Sequence, residues 1–60
     1  MDFELIESAR GVEFGKLISH LTRRVEVYEV RYGSRVYQNA DKDAAFCAFL
    51  QVSSHKGNRN

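Results

Sequence analysis

Between Val25 and Gln38 the chain reads VEVYEVRYGSRVYQ, two runs of β-branched and aromatic residues broken by one Gly-Ser pair. Such residues favour strands, because branched and flat side chains pack well on a pleated surface. Gly33 can take the positive φ needed at the first central position of a type II′ turn. The stretch therefore predicts a β-hairpin with Gly33-Ser34 at its tip. In that register Tyr32 lies opposite Arg35 and Val30 opposite Tyr37. Alternation then puts Tyr28, Val30, Tyr32, Arg35 and Tyr37 on one face, and Val25, Val27, Glu29, Arg31, Val36 and Gln38 on the other. A loop one residue longer would exchange the faces of the second strand.

The flanking segments complete the expected fold. DFELIES alternates weakly and is read as a short strand, with a first helical turn as the other possibility. In EFGKLISHLTRR, Phe14, Leu17, Ile18 and Leu21 recur at three- and four-residue steps, which predicts an amphipathic helix. Ser8 is its candidate N-cap, with Gly11 or Val12 as a later start, and Arg23 and Arg24 suit its C-terminal end. GVEFG has the spacing of a small-residue helix-packing motif, but charged neighbours favour Gly11 as the end of a turn and Gly15 as a point of close packing. NADKDAAFCAFLQVSS predicts a second helix, capped by Asn39 or Asp41, with Asp41 and Asp43 favouring its positive end. The fold class expected is α+β: a small two-layer (β)αββα unit, helices packed on one face of a short antiparallel sheet. Residues 1–54 form the expected domain and 55–60 a flexible polar tail.

Sixty residues bury a small core, and one cysteine excludes an internal disulfide. His20 and His55 lie 35 residues apart with no cysteine beside either, so zinc-like spacing is absent. A partner subunit is the remaining ordinary source of stability for so small a chain. Nine Lys and Arg against eight Asp and Glu give a net charge of +1. That balance suits neither binding dominated by phosphate neutralisation nor mimicry of DNA. MDFELIESARG lacks the basic-then-apolar order of a signal peptide, and no apolar run reaches membrane-spanning length. With a lone cysteine, the expected compartment is the cytoplasm, the cell's own or that of a host.

Two surfaces are candidates for function. Tyr28, Tyr32 and Tyr37 with Arg31 and Arg35 form a partner-binding set, since tyrosine and arginine bury large areas and keep a polar end. Phe46, Phe49, Leu50 and Ala45, widened by Ala44, Cys47, Ala48 and Val52, form an apolar belt that the first helix and one sheet face do not easily cover. Phe46, Phe49, Leu50 and Val52 are the expected oligomer interface. Cys47 is expected to be an inert buried thiol, and His20 a solvated histidine on the flank of the first helix. No catalytic triad order, paired catalytic carboxylates, phosphate-binding glycine loop or metal spacing is present. An enzyme, a cofactor, a metal site and a small-molecule substrate are therefore not expected.

The layout of residues 25–60, strand-turn-strand-helix in a tiny chain, resembles that of phage and mobile-element accessory proteins. The resemblance implies a non-enzymatic module that binds and inhibits or redirects a larger host protein, as a homodimer or bound to its partner. The alternative is a nucleic-acid-binding module, in which the tyrosines stack bases while Arg24, Arg31, Arg35 and the Lys56/Arg59 tail hold phosphates.

Overall fold

The computed structural model describes residues 2–57. Four strands and one helix follow in order: β1 (Asp2–Ala9), β2 (Val12–Ile18), β3 (Val25–Tyr32), β4 (Arg35–Asn39) and α1 (Lys42–Gly57). The strands form one antiparallel sheet in the order β1-β2-β3-β4, and α1 packs across β2, β3 and β4. The α+β two-layer class is as expected, with a single helix. No helix among the described residues is long and apolar enough to cross a membrane, which says nothing of a β-barrel.

The segment expected to be the first helix is a strand followed by a tight turn. Two periodicities compete in it. Phe14, Leu17, Ile18 and Leu21 fit a helix, while Val12, Phe14, Lys16 and Ile18 fit a strand. The strand buries Val12 and Phe14 completely, and the fourth member of the helical stripe, Leu21, is 93% exposed. Gly15 also favours the strand, since a glycine inside a helix costs about 1 kcal/mol relative to alanine. A remnant of the helical signal survives in the β2–β3 loop, where the Arg23 amide donates to the Ser19 carbonyl at 2.9 Å. Ser19 Oγ accepts from the amides of Leu21 at 3.2 Å and Thr22 at 3.4 Å. Arg23 closes this single turn with φ of 62°.

Ser8 accordingly lies in β1 and caps no helix. The β1–β2 hairpin turns at Arg10-Gly11, both with positive φ (54° and 79°), the signature of a type I′ turn. Arginine pays roughly 1–2 kcal/mol for that conformation, and its presence there hides the turn from a sequence reading that looks for Asn-Gly or Asp-Gly. A bulge at Ile6 shifts β1 between Leu5 and Glu7.

The second hairpin has the register read from the sequence: Tyr32 opposite Arg35, Arg31 opposite Val36, Val30 opposite Tyr37. Gly33 has φ of 60° and Ser34 is not in the left-handed region, as a type II′ turn requires. At the start of α1 the Asp41 side chain accepts from the Asp43 amide at 3.0 Å, and Asn39 accepts from the Asp41 amide at 2.8 Å. Asp41 is thus the N-cap of the two alternatives, and Asn39 instead forms a turn onto Asp41 ahead of the helix. The helix continues to Gly57, three residues into the segment expected to be a tail, and residues 58–60 lie outside the described ones.

The core is Val12, Phe14, Val30, Ala45 and Phe49, with Ala9, Tyr28, Tyr32, Ala48 and Val52 packed around it. Phe14 sits at its centre, 5.4 Å from Phe46, 5.7 Å from Phe49 and 6.3 Å from Tyr28 between ring centroids. Such aromatic pairs contribute about 0.5–1.5 kcal/mol each beyond the area they bury.

Candidate functional site

The pleat fixes what the helix leaves uncovered. Because Val12, Phe14 and Val30 point at α1, their neighbours Glu13, Gly15, Leu17, Val27, Glu29 and Arg31 point to the opposite face of the sheet. Cross-strand pairing adds Phe3 and Leu5 from β1, and Val36 and Gln38 from β4. Among the described residues nothing packs on this face. It nevertheless carries five large apolar side chains. Phe3, Leu17 and Val27 are half-buried, and Leu5 and Val36 are 52% and 57% exposed.

A polar cluster stands among them. Glu29 is 4% exposed although no layer covers it. Arg31 Nε donates to its Oε2, and Gln38 Nε2 donates to its Oε1 at 2.8 Å. The Arg31 guanidinium in turn lies over the Phe3 ring, 3.7 Å from the centroid. Phe3 reaches that position by crossing Gly15, where a Cβ would sit 2.5 Å from both Phe3 Cζ and the Glu4 carbonyl oxygen. Glycine is thus required at this point of β2, as close packing at Gly15 anticipates. Burial pushes the Glu29 pKa up, but the hydrogen bonds from Gln38 and Arg31 and the Arg31 charge outweigh it. The carboxylate is held below its usual range. An acid so stabilised as the anion, with both oxygens occupied, is a poor general base.

The sequence-derived residues divide between the two faces. Tyr28 and Tyr32 lie on the helix side, half-buried against the core, with Tyr37 and Arg35 nearer the edge on β4. Tyr37 Oη accepts from Asn39 Nδ2 at 3.0 Å. Arg31 lies on the opposite face, so the five-residue partner-binding set is not one surface. In α1, Phe49 is core and Val52 packs beside it. Leu50 is 47% exposed, and Phe46 is exposed at its outer edge while its ring meets Phe14.

Cys47 is exposed, contrary to expectation. Only one layer lies against α1, and Cys47 points away from it. His20 sits in the β2–β3 loop, not on a helix, and its Nε2 is 2.9 Å from Asp2 Oδ1. The hydrogen bond from His20, then its charge, lowers the Asp2 pKa. Beside them an open cleft of about 330 Å³ is lined by Asp2, Phe3, Glu4, Ile18 and Arg23. Among the described residues no three His, Cys, Asp or Glu side chains converge as metal ligands would.

Hairpin alternation in the sequence puts Glu29, Arg31, Val36 and Gln38 on one face, which is half of this surface. Its other half, Phe3, Leu5, Gly15 and Leu17, comes from strands hidden by the helical stripe. No protein-family model matches the chain, and neither does any curated protein or solved structure.

Proposed function

We propose that the chain is a small non-enzymatic protein-interaction module that works by laying its open sheet face against another protein surface. One observation carries this reading: Phe3, Leu5, Leu17, Val27 and Val36 line a sheet face with no second layer on it among the described residues. A sheet with one face on a core ordinarily turns polar residues outward. Here Phe3, Leu17 and Val27 form one cross-strand row with Leu5 beside it, and Val36 stands apart across Arg31 and Gln38. Apolar groups so exposed favour a contact surface. Glu29, Arg31 and Gln38 give the patch a fixed polar centre, so a partner is held in one orientation. The resemblance in layout to phage-type accessory proteins, read from the sequence of residues 25–60, adds the expectation that the contact inhibits or redirects a larger protein. Nucleic-acid binding has less support, because Tyr28 and Tyr32 are committed to packing under α1 and are poorly placed to stack bases.

The test is a photo-crosslinking residue introduced at Val36, with Thr22 in the exposed β2–β3 loop as the control. Discrete protein adducts from position 36 and none from position 22 are expected. Equal, diffuse labelling from both positions would overturn the reading.

A further inference from the structure

We infer that the layer covering the open sheet face is a second copy of this chain, an inference that rests on the interaction reading above. The face is self-complementary along the seam between β2 and β3. Cross-strand pairing there sets Leu17 beside Val27, Gly15 beside Glu29, and Glu13 beside Arg31. A two-fold axis parallel to these strands, running between them, places each residue over its neighbour's counterpart. Leu17 then meets the partner's Val27, and Arg31 meets the partner's Glu13. A two-fold contact needs this reciprocity, in which one patch serves both subunits.

The charges agree with that axis. Arg31 uses its Nε on Glu29, and its side chain remains 43% exposed. Glu13 is exposed on the same face, opposite Arg31 in the register. Each copy therefore offers one cation and one anion at adjacent positions, and the two-fold pairs them crosswise. Over Gly15 the middle of the seam is filled by Phe3 with the Arg31 guanidinium on its ring, side chains of the kind that fill the roughly 10 Å between the sheets of an aligned β-sandwich. Need points the same way. Five fully buried apolar side chains are a small core, and chains of this size without disulfide or metal commonly complete theirs with another subunit.

The experiment is light scattering of the purified protein over a concentration series, with Leu17→Glu, Glu13→Arg and, on the far side of the molecule, Leu50→Glu. Circular dichroism checks that each variant keeps its fold. The expected wild-type mass is twice the 6.9 kDa of the chain. Leu17→Glu should be monomeric, Glu13→Arg should raise the dimer dissociation constant at least tenfold, and Leu50→Glu should remain a dimer. Glu13 is exposed, so that variant remains informative if Leu17→Glu fails to fold. A monomer at every concentration would overturn the inference, as would a dimer lost only in Leu50→Glu, which would place the contact on α1. A monomer that still gives adducts from position 36 in the crosslinking experiment would reject the second copy and leave the interaction module standing. Absence of both would reject both.

Discussion

Replacing Gly15 by alanine would stabilise a helix by about 1 kcal/mol. In β2 the same change brings a Cβ to 2.5 Å from the Glu4 carbonyl oxygen and the Phe3 ring. Backbone cannot yield as a flexible side chain can, and overpacking of this kind costs roughly 1–3 kcal/mol. Urea denaturation of Gly15→Ala is therefore expected to show a loss of stability, and a gain would restore the helical reading of this segment. Glu29 makes a second prediction at this scale. Its folded pKa lies below the ordinary value, so its contribution is complete above that value, near pH 4.5, and is lost as pH falls through the folded pKa. Glu29→Gln should cost about 1–2 kcal/mol at neutral pH. It should also flatten the fall of stability in acid, measured as melting temperature against pH. An unchanged acid limb would mean that Glu29 is solvated and its hydrogen bonds contribute little.

Among the elements, the hairpin and the capped helix were legible in the sequence because their signals are local. Gly33 supplies the turn, alternation sets the register, and Asp41 caps α1 within two residues of its own position. β2 was not legible, since its apolar residues satisfy both periods and the choice depends on long-range pairing with β1 and β3. The turn joining β1 to β2 was masked by arginine at a left-handed position. Misreading that one element cost half of the open face, and it also made α1 seem more enclosed than it is. The helix can be tested directly. Phe49 is buried and Leu50, its neighbour, is half exposed. Phe49→Ala should cost about 3–4 kcal/mol, most of the stability of so small a domain, whereas Leu50→Ala should cost well under 1 kcal/mol. Equal losses in thermal melts would show that the belt on α1 is buried on both sides after all.

At the scale of the molecule, a single helix serves one face of a four-stranded sheet and leaves the other with a hydrophobic surface set around an ion pair. Filling the first face uses Val12, Phe14 and Val30 from the central strands. The opposite face of these strands carries Glu13, Gly15, Glu29 and Arg31 beside them, and further along it Leu17 and Val27, where a monomer would place polar residues. The pattern supports the proposal that both faces of the sheet are in contact, one with the chain's own helix and one with another protein. The most direct measurement is an isotope-filtered NOE experiment on an equal mixture of labelled and unlabelled protein, read at the methyl groups. Intermolecular NOEs from Leu17, Val27 and Val36 are predicted, with none from Leu50. Intermolecular NOEs from Leu50 alone, or none at any methyl at millimolar concentration, would contradict the account.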